Sequence, residues 1–184
     1  MRRIIYNDDS QGVYETRPGH ARQDLEAWVD KSLTRLNIDT YAWCICFPDI
    51  CMHRTSVGEM HGTGSPGPPD AAAVAMAELH AREKGVLGVG AGRARDRGVE
   101  FSAGMRMNDA RGLCPSAAQP EPRFVADHPE DVIKRRGGVP ERALDDSHEE
   151  VRRHRLAILR ELAENYTIDG VELKIRGLDR GISI

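Results

Sequence analysis

The chain has 184 residues, 40% of them hydrophobic and 30% charged, with a formal net charge of −3. That balance describes one globular domain, residues 1–184, with enough chain to bury a core, and it excludes a disordered or collagen-like segment. It supplies no electrostatic attraction for nucleic acid or an anionic membrane, and no apolar run approaches the length of a membrane span.

The first element, "RRIIY", is a short β-branched run that leads at once into the polar cluster Asn7, Asp8, Asp9 and Ser10. Its brief apolar stretch does not make a secretory signal, so residence in the cytoplasm is the expectation. "RPGHARQDLEAWVDKSLTRLN" follows, with Leu25, Trp28, Val29, Leu33 and Leu36 on one helical stripe. "IDTYAWCICF", rich in aromatic and β-branched residues, reads as a second strand. Pro48 to Pro69, dense in Gly and Pro, reads as a loop. A helix capped by Asp70 and stopped at Gly85 comes next, then a glycine-weakened helix closed by Gly98.

"VEFSAGMRMND" is the third strand and again ends in polar residues. Residues 110–145 read as irregular, with short helical turns such as "FVADHPEDVIK". Ser147 and Glu150 have capping-box spacing. The helix after them carries Val151, Leu156, Leu159, Leu162, Ala163 and Tyr166 as its apolar face, and "GVELKI" is the fourth strand.

The order β-α-β-α-β-α-β predicts parallel strands joined by right-handed crossovers. It fits part of a (β/α)₈ barrel and equally an open doubly wound sheet. In both, ligands bind at the C-terminal ends of the strands. Those ends are Asn7, Asp8 and Asp9; Trp43 to Asp49; Arg106, Met107, Asn108 and Asp109; and Glu172 with Lys174. Any one cluster is an ordinary solvated turn, but four polar ends on one side of a sheet point to a site. On the fourth strand, alternation puts Glu172 and Lys174 on the inner face and Val171, Leu173 and Ile175 against helices. The charged pair is either a salt bridge filling the barrel or a carboxylate tuned by the ammonium beside it.

"RRIIYNDDSQGVY", "IDTYAWCICF", "TSVGEMHG", "FSAGMRMND" and the block from "ALDDSHEEV" to "YTIDGVELKI" together resemble the N-terminal half of the glycosyl hydrolase family 10-like (β/α)₈ proteins, relatives of the α-amylase superfamily. The resemblance runs from residue 3 to about residue 175. It implies half of a TIM barrel truncated after the fourth strand, and a protein that hydrolyses or binds carbohydrate. The family pattern D-G-I-E-L-D keeps its first acidic position here as Glu172, whereas the second is Lys174. Glycosidic hydrolysis uses two carboxyl groups about 5 to 9.5 Å apart. Glu172 is the first candidate, as acid/base or nucleophile, with Asp109 as its partner and Asp8 in reserve. Asn7, Asp8, Asp9, Arg106, Asn108 and Lys174 are candidates for sugar hydroxyls, and Trp43 or Tyr41 for a sugar ring. A lysine at position 174, and a chain with none of the four further βα units with which the family continues, predict weak or absent hydrolysis, with non-catalytic carbohydrate binding as the alternative. Two open sheet edges leave three outcomes: a marginally stable fragment, a homodimer in which two halves close one barrel, or an open sheet whose charged end is ordinary surface.

No cofactor and no metal is expected. Cys44, Cys46, Cys51 and His53 form a C-x-C-x₄-C-x-H run, but on a strand Cys44 and Cys46 share one face while the other two lie in the following loop. Buried small side chains and a loop thiol are the expectation rather than a zinc site. "GVGAGR" lies between helical segments rather than after a strand, so it is not a phosphate loop. Neither His148 nor His154, in the long third helix, signals catalysis.

Overall fold

The computed structural model describes residues 2–35, 37–47, 49–61, 69–82, 84–107, 121–134 and 140–175. Four strands form its frame: β1 (Ile5–Asp8), β2 (Thr40–Phe47), β5 (Glu100–Arg106) and β8 (Gly170–Lys174). β1 pairs with β2, β2 with β5 and β5 with β8, every pair parallel. Strand order thus follows chain order with no reversal. A doubly wound sheet reverses its order at a switch point; a (β/α)₈ barrel does not.

The faces of the strands agree with the barrel arrangement. Tyr41, Trp43, Ile45, Phe101, Ala103 and Met105 point one way into a single core shared with α2 (Ala21–Arg35), α3 (Ala71–Arg82), α4 (Gly85–Asp96) and α6 (Glu149–Asn165). The register places Asn7, Ala42, Ser102 and Gly170 in one row of the opposite, inner face, with Cys44, Gly104 and Glu172 in the next. Fold and face assignment together make the chain part of a (β/α)₈ barrel.

Close packing fixes the helix layer. Tyr41, Trp43 and Phe101 pack with ring centroids 5.9 to 6.2 Å apart. A Cβ on Gly90 would lie 2.1 Å from the Trp43 ring, so α4 approaches β2 only because residue 90 has no side chain. Asp30 of α2 is bridged by Arg93 and Arg97 at 2.5 and 2.7 Å, which locks α2 to α4. Asp70 caps α3 by accepting the Ala73 N–H at 2.7 Å, and positive φ at Gly98 marks the stop expected after α4. The stop expected at Gly85 is corrected, since α3 ends at Arg82 and Gly85 is the first residue of α4.

Several expectations are corrected. The stretch after β2 is not all loop: β3 (Ile50–Cys51) turns back antiparallel on β2, and β4 (Glu59–Met60) runs parallel to β3. α5 (Arg123–Asp127) and a 3₁₀ turn (Pro129–Asp131) match the predicted helical turns, but a hairpin of β6 (Val132–Lys134) and β7 (Pro140–Leu144) follows them. Short α1 (Gln11–Tyr14) precedes α2.

Ser147 does not cap α6; His148 holds the cap position without a side-chain capping bond. The buried stripe of α6 is Val151, Arg155, Ile158 and Leu162, while Leu156 is exposed. Arg155 reads as polar in sequence but is buried against Asp146, its Nε 2.6 Å from Oδ1. Val171, Leu173 and Ile175 do not pack under helices but are 41%, 47% and 75% exposed. Among the described residues no helix is long and apolar enough to cross a membrane.

Candidate functional site

At the C-terminal ends of β1, β5 and β8 five predicted side chains meet. Asn7 donates its Nδ2 to both oxygens of Glu172, at 2.6 and 2.7 Å. Its Oδ1 accepts from Lys174 Nζ. Lys174 lies 3.8 Å from Glu172 Oε2 and 3.4 Å from Asp9 Oδ1, and Asp9 in turn pairs with Arg106 at 2.7 Å. Arg106 also rests over the Phe47 ring, 4.9 Å from its centroid. The chain of contacts therefore runs Arg106, Asp9, Lys174, Asn7, Glu172, with two acids and two bases.

Sequence alternation explains this convergence. Glu172 and Lys174 fall on one face of β8 because they are two apart, and the register sets them opposite Gly104 and Arg106. Arg106 and Lys174 are largely buried, whereas the Asp9 side chain is 66% exposed, so the cluster opens to solvent on its β1 side. Burial alone would raise the Asp9 carboxyl, but Arg106 and Lys174 outweigh it and hold Asp9 below the ordinary carboxylate range. Cys44 lies among these same charged groups; burial pushes its thiol up to about 11, which leaves it un-ionised at neutral pH.

Asp8 and Trp43 are corrected. A one-residue step from Asn7 turns Asp8 to the helix face, where its carboxylate accepts from Trp28 Nε1 at 2.8 Å, Tyr41 Oη at 2.7 Å and the Ser10 N–H at 2.7 Å. Trp43 is fully buried in the core, and Tyr41 is occupied beside it. None of the three reaches the inner face. Asn108 and Asp109 lie outside the described residues.

A second polar group was missed by sequence reasoning. Asp49 follows the end of β2, and its Oδ1 lies 2.6 Å from His154 Nε2 of α6. The His154 ring stacks on Phe124, centroids 4.0 Å apart. Both residues border a cavity of about 210 Å³ lined also by Glu59, Arg123, Asp127 and His128. The cavity sits beside the helical insertion, and Glu172 is not among its lining residues. The one available signal was Asp49 at a strand end, and its partner lies 105 residues away.

Around this group α6 clamps the segment after β3. Glu161 accepts from Thr55 Oγ1 at 2.5 Å, Ser56 N at 2.6 Å and Ser56 Oγ at 2.7 Å, and Tyr166 Oη bonds the backbone of Arg54. His53 is enclosed beside Glu161, and its burial depresses the imidazole to about 4. It is therefore neutral at physiological pH. Cys46 and Cys51, opposite each other on β2 and β3, have their sulfurs 2.9 Å apart.

No family model and no curated protein sequence matches the chain. Solved structures do. The noncanonic maltogenic α-amylase AmyB of Thermotoga neapolitana superimposes with a TM-score of 0.55 at 19% identity, over 97% of this chain and 40% of that one. α-L-Fucosidase isoenzyme 2 of Paenibacillus thiaminolyticus gives 0.54 at 11%, over 96% and 24%. A hypothetical protein of Ruminiclostridium thermocellum gives 0.50 at 16%, over 93% and 75%. The chain spans less than half the length of either enzyme. At these identities the likeness is one of fold: the chain has the α/β architecture, with a mostly parallel sheet, of part of a TIM-barrel glycosidase.

Proposed function

We propose that the chain is a glycosyl hydrolase family 10-like protein whose strand tips bind carbohydrate through Asn7, Asp9, Arg106, Glu172 and Lys174. The observation that carries this is the convergence of three strand ends on one hydrogen-bonded network. Sugar hydroxyls both donate and accept, and the cluster offers carboxylates, an amide, an ammonium and a guanidinium across a surface open at Asp9. Two carboxylates flank one ammonium, Asp9 at 3.4 Å and Glu172 at 3.8 Å from Lys174 Nζ, and glycosidases likewise act through a pair of carboxyl groups.

One observation favours binding over hydrolysis. Glu172 accepts twice from Asn7 and lies beside Lys174, while Asp9 is held ionised by two cations. A general acid must carry a proton, and Arg106 and Lys174 hold Asp9 in its charged form instead. Hydrolysis would need a closed barrel. A second copy, its β1 beside β8 and its β8 beside β1, would supply eight parallel strands about a two-fold axis.

The test is a panel of oligosaccharides and aryl glycosides, read by calorimetry and by release of the aryl group. Wild type is expected to bind at least one oligosaccharide, and both Glu172→Gln and Asp9→Asn to weaken it about tenfold. Hydrolysis abolished by Glu172→Gln would make the protein an enzyme. Absence of any binding, or binding that ignores both substitutions, would remove the strand tips as the site.

A further inference from the structure

Away from the strand tips, α5 runs into the 3₁₀ turn and brings three unlike ligand groups together. His128 Nδ1 lies 3.7 Å from Glu130 Oε1 and 3.9 Å from Asp131 Oδ2, and all three atoms fall within 4.8 Å of one another. The turn that folds them inward is fixed by backbone bonds. His128 N–H donates to Phe124 C=O, and Asp131 N–H to His128 C=O, each at 3.0 Å.

A separate fact singles out this group. The Asp131 side chain is only 6% exposed, yet its Oδ2 has no hydrogen-bond partner. A buried carboxylate oxygen left unsatisfied is costly. The orphan oxygen is the one that faces His128. Its twin, Oδ1, is already taken by His148 Nδ1 at the start of α6.

We propose that His128, Glu130 and Asp131 bind a divalent transition-metal ion of the zinc type. One imidazole and two carboxylates form a mixed nitrogen and oxygen set that suits zinc, cobalt or nickel better than magnesium or calcium, which prefer oxygen alone. Metal–ligand bonds of about 2.0 to 2.2 Å in a tetrahedron separate ligand atoms by about 3.3 to 3.6 Å. The two spacings from His128 need to contract by only a few tenths of an ångström, and the two carboxylates, within 4.8 Å of each other, by about 1 Å at most. His148 would act from outside the ligand set, since its contact with Oδ1 orients the carboxylate whose other oxygen takes the metal. Three protein ligands leave a fourth position for water. The bound ion would fasten the α5 turn to the start of α6 through His148, and to the hairpin through the Asp145 N–H, which donates to the Asp131 carbonyl at 2.7 Å.

The full chain, stripped with a chelator and dialysed, is titrated with Zn²⁺ by calorimetry and with Co²⁺ by visible absorption. One equivalent should bind, with ligand-field bands free of thiolate charge transfer. His128→Ala and Glu130→Gln should each weaken binding about tenfold or more while circular dichroism stays unchanged. The His128 and Glu130 side chains are partly exposed, so these variants should fold. The proposal is overturned by no binding to wild type, by affinity that both variants leave intact, or by a thiolate spectrum, which would put the ion on the cysteines.

Discussion

Asp8 and Asp9 are chemically identical neighbours with opposite duties, and only the face of the strand separates them. Asp8 accepts three hydrogen bonds inside the helix layer, from a tryptophan, a tyrosine and a backbone amide. Asp9 extends from the inner face, two-thirds exposed, toward Arg106 and Lys174. Removing Asp8 leaves the Trp28 and Tyr41 donors facing a void, and buried donors without acceptors cost roughly 1 to 3 kcal/mol each. Asp8→Ala should therefore lower unfolding stability by about 3 kcal/mol, seen as a shifted urea midpoint at unchanged slope. Asp9→Ala should change stability by less than about 1 kcal/mol, because exposed ion pairs contribute little. Equal effects of the two substitutions would show that the face assignment of β1 is wrong. Sequence alone listed both residues as sugar contacts; nothing in "NDDS" says which carboxylate meets a tryptophan twenty positions later.

At the scale of elements, strong local signals were the legible ones. The four frame strands, the apolar stripe of α2 and the Asp70 cap were all readable because period and capping chemistry are local. Gly98 likewise stops α4 where expected, with φ near +70°. The inner-face pairing of Glu172 with Lys174 also followed from alternation. β3, β4 and β6 were not readable, since strands of two or three residues carry no period and form only where a partner edge exists, and β7, which opens on a proline, forms only against β6. The buried stripe of α6 was misassigned for a related reason: Arg155 belongs to it only because Asp146 neutralises it. The most informative miss concerns β8. Val171, Leu173 and Ile175 have the composition of a helix-facing row, yet they stand exposed on an edge strand. Ile4 and Ile5 are likewise 50% and 61% exposed at the other edge. An apolar row beside unpaired backbone groups favours strand addition. The expected occupant is a second copy, which would meet β8 with β1. Sedimentation velocity should show a concentration-dependent dimer, and Val171→Lys with Leu173→Lys should return it to monomer without altering the circular dichroism. A wild type that stays monomeric at every concentration would reject the pairing.

For the molecule as a whole, buried histidines set how stability responds to acid. His53, His61 and His80 are all held below the ordinary imidazole value, in each case chiefly by burial, and His53 falls to about 4. A group with a depressed folded pKa binds fewer protons when folded than when unfolded. Above about pH 6.5 both states are neutral and these residues contribute no pH dependence. As pH falls below that, the unfolded chain takes up protons that the fold refuses, and stability declines. Each such histidine removes at most about 1.4 kcal/mol per pH unit, so His53 alone would account for roughly 3 kcal/mol between pH 6.5 and 4. The carboxylates with depressed values (Asp9, Asp24, Asp30, Asp145 and Glu161) lose their contribution only as pH falls below the ordinary carboxylate range, so they do not produce the loss near pH 6. His148 has the opposite sign: Asp131 raises it, so its contribution is full below about pH 6.5 and fades as pH rises through its raised value. Urea melts from pH 7.5 to 4.5 should thus show a steady fall that begins near 6.5, before any carboxylate protonates. His53→Phe should flatten that fall by about one proton's worth, even if the larger ring lowers stability at every pH. A profile with the same slope in both proteins would mean that His53 is protonated inside the fold, and that Glu161, 3.9 Å away, holds it as an ion pair rather than leaving it neutral.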